Sequence, residues 1–222
     1  MIVKLLSYTQ DPLFVMFMAA RNCYSSKNYE KLREEYNETK AKELLSKLYK
    51  SGHHSVFEHV SFTFWVDGIS RVLTHQLVRH RIASYSQRSQ RYTKGKGWVT
   101  PLSIDTKLKL AEKYKKFMGK IFDFYNKLIE LGIPEEDARF ILPQGSLTTI
   151  VFTMNLRSLM HFCHERMCNR AQWEIRELAN RCKDLVVERL PITEKWLVPK
   201  CEYLGFCPEE KSCGKKEKKG VV

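Results

Sequence analysis

"VSFTFWVDGISRVLTHQL", residues 60–77, changes its period part-way along. Phe62, Phe64 and Val66 alternate with Ser61, Thr63 and Trp65, the two-residue repeat of a half-buried strand, and Gly68 reads as its stop. From Ile69 the apolar residues Val72, Leu73 and Leu77 recur at helical spacing, so a helix follows. Upstream, Asp11 and Pro12 form a helix start, an acceptor side chain followed by a ring already set at the helical φ, before the apolar body "LFVMFMAARNCY". "ETKAKELLSKLYKSG" is a second amphipathic helix closed by Gly52. Downstream, "LKLAEKYKKFMGKIFDFYNKLIELG" is a long amphipathic helix closed by Gly132, and "PEEDARFIL" a short one with acids in its first turn. "LTTIVFTM" is a buried strand, Asn155 caps "LRSLMHFCHERM", and "AQWEIRELANRCKDLVVERL" is a further helix before Pro191. Helices dominate and the strands are few, so the expected fold is α+β: a small, largely antiparallel sheet packed against long helices. One domain is expected over residues 1–200, followed by a Cys/Lys-rich tail, residues 201–222.

The 222 residues carry a formal charge of +13, with a pI near 9.4, which points to anionic partners. The amino terminus, "MIVKLLSYTQDPLF", lacks the apolar run of a secretory signal, and no stretch is apolar for the length of a membrane span. A soluble, cytoplasmic protein without membrane contact is expected. Of seven cysteines, Cys23, Cys163, Cys168 and Cys182 lie in core-forming sequence. Cys201, Cys207 and Cys213 are spaced more widely than zinc ligands usually are, so a reduced, partly ordered tail is expected. His53, His54 and His59 likewise lack the i, i+4 spacing of a helical zinc motif, and no metal is expected.

"RHRIASYSQRSQRY", residues 79–92, concentrates the polar chemistry. On a continuing helix Arg71, His75 and Arg79 share one side and Gln76 and His80 a neighbouring one, before the chain enters a polar loop. Arg81, Arg88 and Arg91 add planar forks for phosphate or a paired carbonyl and amide; Ser84, Ser86, Gln87, Ser89 and Gln90 add short neutral donors and acceptors. Two readings stay open: a defined site for a small anionic ligand, or a basic nucleic-acid surface. The lysines lie elsewhere, which favours the first. In "SGHHSVFEHVSF", Ser55 and Glu58 have capping-box spacing. Asn155, Arg157, His161, His164 and Arg166 cluster along one helix and would suit a pyrophosphate.

The R-H-R, seven residues, S pattern of Arg79, His80, Arg81 and Ser89 resembles the signature of the flavin-dependent thymidylate synthases. "GHHSVFEHVSFTF", "DARFILP" and "NLRSLMHFCHERMCNRAQWEIRELA" resemble that family in order and spacing. The resemblance implies FAD as cofactor, dUMP as substrate, methylenetetrahydrofolate as carbon donor and NADPH or NADH as electron source. It implies a homotetramer with sites at subunit interfaces and no nucleic-acid partner. It places His53, Ser55, Glu58, Arg79, His80, Arg81, Gln87, Asn155, Arg157 and His161 about the flavin. About dUMP it places Gln76, Arg79, Gln87, Arg88, Ser89, Arg91, Arg139 and Arg166. Arg166 is the residue implied to activate the uracil ring, in place of an attacking cysteine, and Ser89 is assigned to substrate binding. A rival enzyme would use Cys163 or Cys168 as nucleophile.

Overall fold

A computed structural model of the chain describes residues 1–219. In chain order the elements are β1 (Ile2–Tyr8), α1 (Pro12–Asn22), α2 (Tyr29–Glu34), α3 (Glu38–Lys50), a 3-10 turn (His54–His59), β2 (Ser61–Ser70) and α4 (Arg71–Leu77). Then come β3 (Ser84–Gln87), α5 (Leu102–Asp105), α6 (Leu108–Glu130), α7 (Glu135–Ala138), a 3-10 turn (Arg139–Ile141) and β4 (Leu147–Asn155). The chain closes with α8 (Leu156–Arg166), α9 (Trp173–Arg189), a 3-10 turn (Pro191–Lys195) and α10 (Lys200–Leu204). The strands form one antiparallel sheet in the order β1-β2-β4-β3. The fold is α+β, as the alternating and helical repeats require. Among the described residues no helix is long and apolar enough to cross a membrane.

Two compact units share this chain. The first comprises Met1–Ile2, Trp65–Arg79 and Tyr85–Val151. Its core takes Val66 and Ile69 from β2, Leu73 and Leu77 from α4, Tyr125 from α6 and Ile150 from β4, all fully buried. The junction of β2 and α4 is tied here. β2 does not stop at Gly68, as the sequence suggested, but runs through it at φ 69, open to glycine, and ends at Ser70. The Ser70 hydroxyl accepts from the Leu73 N–H at 3.1 Å, an N-cap. The next orphan amides, Arg71 and Val72, donate to the carbonyls of Ser146 and Gln144, both at 3.2 Å. α4 ends at Leu77, so Arg79 leaves the stripe of Arg71 and His75, and His80 likewise lies beyond the helix. The segment expected as a polar loop contains a strand, β3.

The second unit comprises Val3–Phe64, His80–Ser84 and the chain from Phe152 onward. Phe62 and Phe64 of β2 and Phe152 of β4 are buried with Leu156, Leu159 and Phe162 of α8, and Phe64 stacks on Phe152 at 5.1 Å. Asn155 caps α8, accepting the Ser158 N–H at 2.8 Å. Two expected caps fail. Asp11 sits in the left-handed region at φ 47 with no side-chain cap bond, its carbonyl accepting the Val15 N–H instead. Ser55 lies inside a 3-10 turn entered at His53, so no capping box forms and Glu58 is released for another partner. Cys23 is exposed just past α1, contrary to its core-like sequence context, whereas Cys163 and Cys182 are buried. The carboxyl-terminal segment is held in part by bonds to its carbonyls: the Cys207 N–H donates to the Glu217 carbonyl at 2.7 Å, and the Arg170 side chain, through Nη1, to the Lys211 carbonyl at 2.8 Å. Cys201 and Cys207 are buried, while Cys213 is exposed.

Candidate functional site

The side chains expected to hold dUMP, other than Arg166, lie in the first unit, and some of them are held in place by hydrogen bonds. β3 presents Gln87, whose amide Nε2 donates to the hydroxyls of Thr74 on α4 at 3.1 Å and Thr148 on β4 at 3.4 Å. With its N–H groups engaged inward, the amide leaves its oxygen as an acceptor without a partner among the described residues. The Arg88 N–H donates to the Thr149 carbonyl at 2.9 Å, continuing the pairing of β3 past its end. Ser89 Oγ accepts the Arg91 N–H at 3.1 Å, a local turn bond. Glu136 then organises two arginines: its carboxylate accepts from Arg91 Nε at 2.8 Å, and its carbonyl from Arg139 Nε at 3.0 Å. Gln76 donates only weakly, at 3.5 Å, to the Val72 carbonyl. Arg79 is exposed, and its guanidinium engages no side chain or carbonyl among the described residues.

Arg71 was seen in the sequence only as part of a helical stripe, and the structure gives it a sharper character. Its Nη1 is buried with no hydrogen-bond partner among the described residues. Burial, and then the charge of Arg139, push its pKa down. A buried N–H without a partner costs about 1 to 3 kcal/mol, and a neighbouring like charge adds to that, so an anion is the complement this pair lacks. Glu136, Thr74 and Thr148 were also missed. Each acts by holding a residue that the sequence did single out.

The second unit gathers the other set. Arg166, the last residue of α8, donates its Nε–H to Nε2 of His80 at 3.0 Å. The His80 ring meets Phe162 edge-on at 5.1 Å and His161 at 5.6 Å. Burial, then the charge of Arg166 and the His161 ring, push the His80 pKa down from 6.5 to about 4, against Glu165. His164, on the same helix, is also pushed down to about 4 by burial, opposed by the Trp196 backbone; its ring stacks on Tyr203 at 4.6 Å. Arg157 pairs with Glu58 across the exposed surface. His53, Ser55 and Arg81 are exposed and make no side-chain hydrogen bond to these groups among the described residues. His161 is exposed as well, and Asn155 uses its side-chain oxygen for capping, leaving its amide N–H groups.

Two imidazoles that resist protonation make stability depend on pH. Below about pH 6.5 the unfolded chain binds protons that folded His80 and His164 refuse, so stability is full above that pH and falls as the pH drops toward about 4. Chemical denaturation between about pH 7.5 and pH 5 should show this decline, and His80→Gln should flatten part of it. Identical slopes in both proteins would remove His80 from the account.

Cys163 is a poor nucleophile where it lies. It is fully buried, and burial pushes its thiol up to about 12.

The family described as thymidylate synthase complementing protein matches residues 4–192. A flavin-dependent thymidylate synthase of Geobacter sulfurreducens is 45% identical over 218 residues, covering 96% of this chain and 94% of the relative. One from Pyrococcus horikoshii is 46% identical over 222 residues, covering 93% and 89%. Among solved structures, a UMP/dUMP methylase, PolB from Streptomyces cacaoi, bound with 5-Br dUMP, superposes with a TM-score of 0.79 at 25% identity, over 88% of this chain and 93% of that one. The signature Arg79, His80, Arg81 and Ser89 thus stands in a chain that is similar to these synthases along nearly its whole length, and the chain belongs to the thymidylate synthase complementing protein family, the flavin-dependent thymidylate synthases.

Proposed function

We propose that this enzyme converts dUMP to dTMP by reductive methylation, with Arg166 activating the uracil ring. The observation that carries the nucleotide reading is the buried, unpartnered Nη1 of Arg71 beside the charge of Arg139, an arrangement that an anion completes. Arg71 joins Gln76, Arg79, Gln87, Arg88, Ser89, Arg91, Arg139 and Arg166 as the dUMP set. Gln87 serves through its free oxygen, accepting from a ligand donor. Arg166 turns a guanidinium toward the imide, favouring the anionic form of the ring and so raising the nucleophilicity of the carbon to be methylated.

The donor chemistry also fits a flavin dinucleotide. Its pyrophosphate needs unengaged cationic donors, and Arg79 and Arg81 are exposed without intramolecular partners among the described residues. His53, Ser55, Glu58, His80, Gln87, Asn155, Arg157 and His161 complete the proposed set, Asn155 through its amide N–H groups. Bound FAD supplies the hydride chemistry, with NADPH or NADH as electron source and methylenetetrahydrofolate as carbon donor. Purified protein should show the absorbance of oxidised flavin and methylate dUMP, and Arg81→Ala should be paler through loss of a charge-assisted contact of about 1.5 to 3 kcal/mol. Colourless wild-type protein that leaves dUMP unchanged overturns the proposal.

Assembly as a homotetramer is supported by α6. Leu110, Phe117 and Phe124 recur every seven residues on one face of that helix, and all three are exposed, an apolar stripe that a second copy would cover. Light scattering is the check, and a monomer counts against it.

A further inference from the structure

We infer that His80 is a positioning residue: its unprotonated Nε2 fixes the plane of the Arg166 guanidinium for the uracil ring. The inference rests on the role proposed above for Arg166, and it gives the histidine of the signature a task beyond its proposed place in the flavin set.

Three observations carry it. First, Arg166 donates through Nε, at 3.0 Å, and an Nε–H can donate only to a ring nitrogen that bears no proton, which sets the Nδ1–H tautomer of His80. Anchoring the guanidinium through Nε leaves its four other N–H groups to face a ligand. Second, the imidazole is itself held. Phe162, fully buried, meets it edge-on at 89°, and the His161 ring lies at 62°, so the acceptor does not turn away from Arg166. Burial and the charge of Arg166 also keep the ring neutral near pH 7, the state in which it accepts.

Third, the choice of acceptor has a chemical consequence. A carboxylate would hold a guanidinium more strongly, but it would also offset the positive field that must act on the uracil. A neutral imidazole orients the cation without cancelling its charge. The adjacent carboxylate, Glu165, is engaged by Lys200 at 3.2 Å, and among the described residues no hydrogen bond or ion pair joins it to Arg166. The charge at Arg166 therefore stays available to a ligand.

The test compares wild-type protein with His80→Phe, which keeps an aromatic ring but no acceptor, and His80→Gln, which keeps an acceptor at similar reach. Arg166→Ala and the double variant Arg166→Ala/His80→Phe complete a cycle. Methylation, the affinity for dUMP by calorimetry and the flavin absorbance are measured for each. His80→Phe is expected to lose methylation by roughly 100-fold per flavin-loaded site, the scale of a small misplacement of a reacting group, with dUMP affinity little changed. His80→Gln recovers most of it. On the Arg166→Ala background His80→Phe has no further effect, because it acts through the arginine. The same loss on that background, or a glutamine variant as poor as phenylalanine per flavin-loaded site, overturns the positioning role. Normal methylation by Arg166→Ala instead overturns the reading on which the inference stands.

Discussion

Replacing Arg166 with alanine is expected to abolish methylation of dUMP while flavin reduction by the nicotinamide nucleotide survives. Arg166 closes α8, where a cation complements the helix dipole by about 0.3 to 1 kcal/mol, so a purely structural role predicts a small change in stability and none in chemistry. Stabilising an anion that develops on the uracil is a larger task, about 3 to 4 kcal/mol on the scale of one oxyanion donor, or roughly a hundred- to a thousandfold in rate. Lysine should restore only part of this, since it keeps the charge but loses the Nε–H that donates to His80 and the planar fork behind it. Single-turnover methylation, set beside flavin reduction in the same preparations, separates the two steps. Near-normal methylation by the alanine variant would sink the assignment.

What the sequence reveals here follows from how locally each feature is encoded. The alternation of Phe62, Phe64 and Val66, the long stripe of α6 and the cap at Asn155 are each set within a few residues, and each appears as the pattern demands. β1 escapes notice because "IVKLLSY" is apolar on both faces: Ile2, Leu6 and Tyr8 are exposed, so the two-residue repeat is masked. β3 escapes because its one β-former, Tyr85, stands among Ser84, Ser86 and Gln87, too little for a strand signal; pairing with β4 makes the strand. The capping box at Ser55 and Glu58 fails for the opposite reason, a local pattern overridden when the segment tightens into a 3-10 turn and Glu58 pairs with Arg157, 99 positions away. The site shows the same division. The sequence marks His80 and Arg166 as polar members of two separate clusters, yet their hydrogen bond spans 86 positions, and no spacing rule reaches that far. Glu136 is unremarkable in the sequence, and becomes informative only when it holds both Arg91 and Arg139.

Arg71 should be the second large effect, and the one for which ligand binding and stability move in different directions. Its side chain carries a buried N–H without a partner, and the charge of Arg139 further disfavours its cationic form, so in the ligand-free protein this residue is a source of instability. Arg71→Met keeps the apolar stem and removes the charge and the orphan donor together. The ligand-free variant is therefore expected to unfold at the same temperature as wild type or a few degrees higher, against the usual destabilisation by a buried substitution. Binding should suffer. If the dUMP phosphate is the missing partner, its loss removes a charge-assisted contact of about 1.5 to 3 kcal/mol, a weakening of roughly ten- to a hundredfold. The thermal shift produced by saturating dUMP should shrink accordingly, because ligand stabilisation follows the ratio of concentration to Kd. Inorganic phosphate offers the same test without the base, and should shift wild type but not Arg71→Met. A variant that loses stability yet binds dUMP normally would place Arg71 in the scaffold, with its orphan N–H answered by water, and would leave Arg139 and its neighbours to hold the phosphate.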